Sequence, residues 1–260
     1  MRDLLCLSAF PKSGVTYLSF LLFHCLFDDG VDIRDLERRY VIDIHAWPDL
    51  AFGEPDKPRI IKSHFPFACD RPGIRRTAKA IYLIRHPIDV MMSAWDYRQY
   101  LDPCGAPADA AALKGFVQHW LSSGGAGFDV SGTWRQHVRS WLDQGMVPVH
   151  LVTYTDLVDQ PVETLTGILA FLELPIPLTR MERAIARSTM PAMAALEEEE
   201  ARHRRTGVFY RPELARGYNH GRRFINKGHR DCYHTVLTDE ERTLADRVFA
   251  AELPALSCRR

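Results

Sequence analysis

The sequence predicts an α/β fold: a single domain spanning residues 1–260, with a central, mainly parallel sheet flanked by helices. Three observations predict it. Short apolar runs alternate with longer segments of helical period. Pro or turn residues close several of these runs, which suits strands buried on both faces between crossover helices. The length, 260 residues, is ordinary for one α/β domain.

The elements follow in order. Leu4 to Phe10 is an apolar run stopped by Pro11 and reads as the first buried strand. Thr16 to Phe27 reads as a helix whose inner face carries Leu18, Leu21, Leu22 and Cys25. Ile60-Ile61 gives a second strand, closed by turn residues around Pro66. Ala80 to Ile84 gives a third; His86-Pro87 then opens a helix from Ile88 to Tyr100. Val147 to Val152 gives a fourth, followed by a helix from Pro161 to Leu172. Right-handed crossovers join such units into a parallel sheet. Asp102 to Ala112, rich in Ala and Pro, and Ser122 to Gly132, rich in Gly and Ser, read as surface loops near a site entrance. Glu197 to Glu200 followed by Arg202 to Arg205 is a charge block that reads as a solvated helix end or a mobile loop. There are no internal repeats.

Composition removes several classes. Apolar residues make up 46% and charged residues 25%, which excludes disordered, collagen-like and coiled-coil chains. Lys plus Arg and Asp plus Glu number 33 each, so a general polyanion binder is disfavoured and no nucleic-acid partner is expected. One concentrated anion site remains compatible with that balance. No stretch is long and apolar enough to span a bilayer; Leu18 to Phe27 is interrupted by His24 and ends at Asp28-Asp29. The start does not read as a signal peptide, because Pro11-Lys12 breaks its short apolar run. Cys6, Cys25, Cys69, Cys104, Cys232 and Cys258 are scattered without a C-x-x-C pair. They read as free thiols, either small buried hydrophobes or idle surface groups, in a reducing compartment. A cytoplasmic protein with no metal site is expected.

The strongest local signal is Phe10-Pro11-Lys12-Ser13-Gly14-Val15-Thr16-Tyr17. A buried strand runs through a short turn into a helix, which aims free backbone N–H groups and the positive helix end at one point; a phosphate suits that point. Gly14 allows close backbone approach. Lys12 adds a mobile charge, and Ser13 and Thr16 add hydroxyls. The pattern is not the magnesium-dependent G-x-x-x-x-G-K-[ST] loop, since Lys precedes the Gly and no first Gly stands at the required distance.

This loop resembles the P-K-S-G-T-T-W loop of cytosolic-type sulfotransferases, which use 3′-phosphoadenosine 5′-phosphosulfate (PAPS). Five further segments resemble the family's motifs in the same order. Lys62-Ser63-His64-Phe65-Pro66 is similar to K-T-H-L-P, and Tyr82 to Val90 with Ser93 to Y-x-x-R-N-P-x-D-V-x-x-S. Val130 to Val138 is similar to V-S-x-G-S-W-x-x-H-V with one residue fewer. Tyr154-Thr155-Asp156-Leu157 is similar to Y-E-D-L, and Phe224-Ile225-Asn226-Lys227-Gly228 to F-x-R-K-G. The chain begins almost at its first strand and carries no signal anchor, which fits a bacterial or biosynthetic member better than a Golgi-resident one.

The resemblance implies a P-loop-like phosphosulfate-binding loop after the first strand and a sulfuryl transfer from PAPS to a hydroxyl or amine of a small-molecule acceptor. The product nucleotide would be adenosine 3′,5′-bisphosphate (PAP), and no metal is required. It assigns Lys12, Ser13, Gly14, Val15, Thr16 and Tyr17 to the 5′-phosphosulfate, with Tyr17 standing where the family has Trp. Lys12 would follow charge onto the bridging oxygen. Arg85 and Ser93 would hold the 3′-phosphate. His64 would be the general base, suited to it by an ordinary pKa of about 6.5. Lys62 would stabilise charge on the sulfuryl group, while His119, His137 and His234 have no such role. Tyr154 would contact adenine; so would Thr189 and Met190, in Ser188 to Met193, which resembles T-S-F-D-x-M.

Lys227 and Gly228 would close over the 3′-phosphate, although Asn226 stands where the family has Arg; Arg222, Arg223 and Arg230 are alternative replacements. Thr235 to Glu240 partly resembles the family's dimer motif, but Asp231 reverses its leading Lys, so that dimer is not expected. Loops Asp102 to Ala112 and Ser122 to Gly132 and segment Leu196 to Tyr218 would line the acceptor pocket. Trp95, Phe116, Trp120, Phe128, Phe209 and Tyr210 would then wall it, or else simply fill the core. The rival readings are a small-molecule kinase or other nucleotide-dependent transferase, and a catalytically inactive nucleotide-binding homologue.

Overall fold

A computed structural model describes residues 3–27, 30–45, 60–68, 72–104, 109–212 and 215–257. Asp28-Asp29, Cys69, Cys258 and the parts of the expected loops at 105–108 and 213–214 lie outside the described residues. Strand β1 (Leu4–Ala9) runs into helix α1 (Val15–Leu26). Helical turns between Ile33 and Tyr40 lead to β2 (Val41–Asp43), and β3 (Ile60–Ser63) follows. Next come α2 (Pro72–Arg75), β4 (Thr77–Ile84), α3 (Pro87–Leu101) and α4 (Ala110–Ser123). A hairpin of β5 (Ala126–Phe128) and β6 (Gly132–Thr133) precedes α5 (Trp134–Leu142). Then follow β7 (Val149–Thr153), α6 (Tyr154–Asp159), α7 (Pro161–Leu172), α8 (Leu178–Arg187) and α9 (Met190–Arg202). The short α10 (Ala215–Asn219) and α11 (Cys232–Val236) lead to α12 (Asp239–Phe249).

Among the described residues, five strands form one sheet in the order β2-β3-β1-β4-β7, and every neighbouring pair is parallel. Cys6 sits level with Ile61 on one side and Ala80 on the other. Strand side chains alternate between faces, and the core divides accordingly. Leu4, Cys6, Ala80, Tyr82 and Ile84 pack with Ile88, Trp120, Trp134, Trp141 and Phe249 from α3, α4, α5 and α12. Leu7, Ala9, Ile81 and Leu83 pack on the other face with Leu18, Leu21, Leu165, Ile168 and Met193 from α1, α7 and α9. Burial on both faces explains why β1 and β4 read as nearly continuous apolar runs.

The α/β layering and parallel sheet match the sequence reading, and the structure corrects several details. β2 is a fifth strand, three residues long and therefore too short to show a period. Among the described residues, parts of both expected loops are helix or strand. α4 starts at Ala110, where the Asp109 carboxylate accepts the Ala112 N–H at 2.8 Å, and the Ala run that suggested a loop is helix-forming. Ser122 to Gly132 contains the end of α4 and most of the β5–β6 hairpin, with Gly124 at φ 75 closing the helix. The charge block belongs to α9, where Glu197 and Glu200 are only 2% and 1% exposed, so the solvated reading is wrong for these two. No helix among the described residues is long and apolar enough to cross a membrane. Cys6, Cys25 and Cys232 are buried free thiols, and Cys104 is an exposed one.

Candidate active site

The site forms where the parallel strands end. β1 is central, between β3 and β4, and the helix after β1 packs on one face of the sheet while the helix after the adjacent β4 packs on the other, so the loop after β1 lies at a topological switch point. That loop turns sharply: Lys12 has φ 68 and Gly14 has φ 102, both in the region that disfavours side chains. At Gly14 the reason is spatial as well, since a Cβ there would stand 2.6 Å from Cδ2 and Cε2 of Tyr154. The N–H groups that open α1 at Val15, Thr16 and Tyr17 have no intrahelical acceptor and border the same cavity. The Lys12 ammonium lies 4.0 Å from the Tyr97 ring centroid and 4.3 Å from that of Phe224. Burial, with Arg85 and Lys62 nearby, pushes its pKa down to about 7.

The end of β4 supplies Arg85, which is 5% exposed. Its guanidinium donates to the Lys12 carbonyl at 2.8 Å and to the His229 carbonyl, and lies 4.2 Å over the Tyr154 ring. Its Nε is buried with no hydrogen-bond partner among the described residues. Ser93 follows on α3, and one turn further Asp96 and Tyr97 share its face. Tyr154 starts α6 directly after β7.

Thr189 caps α9, its hydroxyl accepting the Ala192 N–H at 3.3 Å. Residues 222–230 form an irregular strap, of which 223–230 line the site cavity. A Cβ on Gly228, whose φ is 57, would stand 3.0 Å from the Met190 sulfur and 3.7 Å from the Tyr154 hydroxyl, so the strap packs closely on Met190 and Tyr154 here. Asp96 secures the strap: Asn226 Nδ2 donates to it at 2.9 Å, His229 Nε2 meets it at 2.7 Å, and Lys227 Nζ stands 4.0 Å away. Burial would raise the Asp96 pKa, but the His229 hydrogen bond and charge, with Lys227, hold it down.

His64 follows β3. Its Nδ1 lies 2.8 Å from the Ala9 carbonyl, which only accepts, so Nδ1 carries the proton and Nε2 keeps its lone pair. Burial first, then the Lys62 charge, push its pKa down to about 4, leaving a neutral imidazole at pH 7. Its backbone N–H donates to His45 Nε2 at 2.7 Å. Lys62 is not a free cation. Its ammonium pairs with Glu37 at 2.6 Å and Asp43 at 3.0 Å, and Arg211 pairs with Glu37 from the other side. Burial would lower the Lys62 pKa, but Asp43 and Glu37 outweigh it and hold the pKa above its usual value. The same pairing holds Asp43 below the usual carboxylate range.

The structure brings nearly all the expected residues together. Lys12, Gly14, Val15, Thr16, Tyr17, Lys62, His64, Arg85, Ser93, Tyr154, Thr189, Met190, Lys227 and Gly228 line one cavity of about 700 Å³. Ser13 is the exception: its side chain is 1% exposed, does not line the cavity, and its Oγ has no partner among the described residues. Arg223 and Arg230 line the cavity and Arg222 does not, while Asn226 turns its amide to Asp96. Of the six proposed wall aromatics, Phe128 and Phe209 line the cavity; Trp95 and Trp120 are core, Phe116 packs on it, and Tyr210 is not in the wall. His137 is fully buried, 2.9 Å from the Tyr82 hydroxyl.

Missed were Tyr97, Asp96, Phe224 and the Glu37–Asp43 pair. Tyr97 and Asp96 lie one helical turn beyond Ser93, a spacing that would have found them. The cavity fits a bis-phosphorylated nucleotide. It offers free helix-start amides, a buried Arg85 Nε lacking a partner among the described residues, and a loop cradle that a Cβ at Gly14 would fill, with Tyr154, Thr189 and Met190 in the same lining.

Comparison with known proteins bears on this geometry. The family model for the sulfotransferase domain matches residues 2–256. Among curated proteins, Sulfotransferase 1A1 of Bos taurus is 26% identical over 205 residues, covering 74% of this chain and 66% of that protein. Sulfotransferase 2B1 of Homo sapiens is 29% identical over 199 residues, covering 72% of this chain and 50% of that protein. The chain thus spans slightly less than two thirds of the bovine relative and half of the human one. Among solved structures, retinol dehydratase in a complex with retinol and PAP is similar with a TM-score of 0.72 at 16% identity, covering 100% of this chain and 83% of that chain. Mouse sulfotransferase SULT7A1 complexed with PAP gives 0.68 at 19% identity, covering 97% and 84%. At these identities the likeness is one of fold.

Proposed function

The chain belongs to the sulfotransferase family, and from that premise we propose that it transfers a sulfuryl group from PAPS to a hydroxyl or amine of a small-molecule acceptor. The observation that carries this reading is one cavity holding both halves of the required chemistry. A phosphate loop with Lys12 and Arg85 lies at one part of it, and a neutral His64 with a free Nε2 lies at another. PAPS, when bound, supplies an activated sulfuryl group and leaves as PAP.

The residues divide the work. The α1 amides at Val15, Thr16 and Tyr17 hold the 5′-phosphate oxygens, and Gly14 keeps that approach open. The Lys12 ammonium neutralises charge growing on the leaving oxygen. Arg85, Ser93, Lys227 and the Gly228 backbone take the 3′-phosphate, with the unpaired Arg85 Nε as one of the donors. Tyr154, Thr189 and Met190 receive the adenine. His64 Nε2 accepts the acceptor's proton while Nδ1–H stays bonded to the Ala9 carbonyl, which fixes the ring.

Lys62 acts with its charge already compensated by Glu37 and Asp43. Its positive charge adds to burial in keeping His64 neutral, and it offers a partial charge to the sulfuryl oxygens. The acceptor enters beside Tyr97, Phe128, Val130 and Phe209. Androsterone and retinol, named with PAP in two structural neighbours, are apolar molecules in keeping with such a wall, although the wall here also contains His45 and Arg211. We assign the protein to the cytoplasm, a reading supported by the scattered cysteines.

The test has two stages. PAP is expected to raise the melting temperature more than ATP with magnesium does, and labelled PAPS is expected to sulfate at least one member of a panel of phenols, alcohols and amines. Stabilisation by ATP–magnesium alone, or no transfer to any acceptor, overturns the reading. His64→Ala is expected to lower kcat by at least ~10²-fold with PAP affinity nearly unchanged. Retained turnover in that variant removes His64 from the base role.

A further inference from the structure

Glu197 and Glu200 are the two least exposed carboxylates among the described residues, at 2% and 1%. Burying a carboxylate is costly unless hydrogen bonds offset the lost hydration. Each makes several bonds, all to backbone. Glu197 Oε1 accepts from Phe224 N at 2.7 Å and Oε2 from Ile225 N at 2.9 Å. Glu200 accepts from Val208, Phe209 and Tyr210 N at 3.0, 2.9 and 2.9 Å. The two stand one turn apart on α9, yet they hold different segments. Glu200 fixes the loop carrying Val208 and Phe209, which line the cavity. Glu197 fixes the start of the strap.

That start has no regular structure of its own, so the Phe224 ring sits where its backbone is held. The ring is one of two aromatic walls around the Lys12 ammonium, at 4.3 Å; the other is Tyr97, at 4.0 Å, on the rigid helix α3. The two rings stand 5.9 Å apart at 90°. A cation this close to two ring faces is attracted to both, so moving one wall releases a long, flexible side chain.

We propose that Glu197 is a positioning residue for sulfuryl transfer: through the backbone of Phe224 and Ile225 it holds the Phe224 ring against Lys12 and so sets where the Lys12 ammonium stands. The inference rests on the role given to Lys12 above. Glu200 makes a similar set of bonds one step further from Lys12, since its Phe209 ring meets Phe224 at 5.7 Å but no ring of its loop is placed over the Lys12 ammonium, and it is the internal control. Removal of the Glu197 charge also acts on Lys12 directly, since that charge favours the ammonium form.

A double-mutant cycle with PAPS and the acceptor used by the wild type tests this. Glu197→Gln is expected to lower kcat about ten-fold and to change the PAPS KM less than three-fold, while Glu200→Gln lowers kcat less than three-fold. In a Lys12→Ala background, Glu197→Gln is expected to lower kcat less than two-fold, because the residue it acts through is gone. A loss above three-fold in that background, or a loss in Glu200→Gln as large as in Glu197→Gln, overturns the proposal. Should Glu197→Gln fail to fold, Phe224→Leu replaces it with the same expected pattern.

A second arm needs no turnover. Competitive acetylation by acetic anhydride, read at Lys12 by mass spectrometry, is expected to run at least three-fold faster in Glu197→Gln and to be unchanged in Glu200→Gln; equal rates in the three proteins overturn the proposal. If the wild type never consumes PAPS, the functional reading fails while this arm still reports on Glu197.

Discussion

Replacing Gly14 by Ala perturbs the site at one methyl group, and the structure fixes what that methyl meets. The residue holds φ 102, where a non-glycine backbone costs roughly 1–3 kcal/mol. The new Cβ would lie 2.6 Å from two ring carbons of Tyr154. Carbon atoms pack best about 3.5–4.0 Å apart, so the ring has to retreat by about 1 Å. The ring also meets the Arg85 guanidinium, 4.2 Å from its centroid, so its shift disturbs that contact, and such overpacking costs roughly 1–3 kcal/mol more.

Gly14→Ala is therefore expected to lose about 2–6 kcal/mol of stability in urea denaturation. Because the ring and Arg85 move together, PAP affinity measured by calorimetry is expected to fall at least ~10-fold, the equivalent of about 1.4 kcal/mol. Adding Tyr154→Leu relieves the collision but not the backbone strain, so the double variant should recover roughly half the lost stability. A single variant within about 0.5 kcal/mol of wild type, binding PAP equally well, refutes the reasoning.

Two further outcomes follow from the charges. kcat/KM for PAPS should be bell-shaped in pH, rising through about 4 as His64 becomes a neutral base and falling through about 7 as Lys12 loses its proton. Lys12→Arg should abolish the alkaline limb, since Arg stays charged, and a wild-type profile flat from roughly pH 5 to 9 contradicts the assignment. Lys62→Met should destabilise the protein by about 3–5 kcal/mol at pH 7, because Asp43 loses its buried cation while Glu37 keeps Arg211. The sign is set by Asp43. Its depressed pKa stabilises the wild type fully above the unfolded carboxylate value, and that stabilisation is lost only as pH falls below it; the variant lacks it, so the gap should narrow below about pH 4. A urea midpoint unchanged at pH 7 counts against the Lys62 cluster.

The parts of the site legible in the sequence are those whose physics is local. The loop from Phe10 to Tyr17 needs a strand, a sharp turn and a helix start within eight residues, and each leaves a residue-type signature. Arg85 and Tyr154 are similarly tied to strand ends. The charge on Lys62 was legible, but not its neutralisation by Glu37 and Asp43, 25 and 19 residues upstream. Glu197 and Glu200 misled for a different reason. A run of four glutamates reads as solvated, yet three-residue spacing puts these two on the inner face of α9, while Glu198 and Glu199 remain about half exposed. Their partners are N–H groups, 27 and 28 residues away for Glu197, and a backbone donor carries no sequence signature. The β2 strand and the β5–β6 hairpin escaped because they are too short to show a period.

The strap gains a particular freedom from how it is held. Glu197 grips the N–H groups of Phe224 and Ile225, Arg85 grips the His229 carbonyl, and Asp89 grips the Cys232 N–H at 2.9 Å. These anchors are indifferent to the side chains of the residues they hold. Part of the segment's path is thus set through its peptide groups by the helices around it, alongside the side-chain contacts that Asn226 and His229 make with Asp96. At Asn226, where the sulfotransferase motif carries Arg, the amide meets Asp96. A binding segment anchored through its peptide groups can vary its ligand contacts one residue at a time while its fold stays in the keeping of its neighbours.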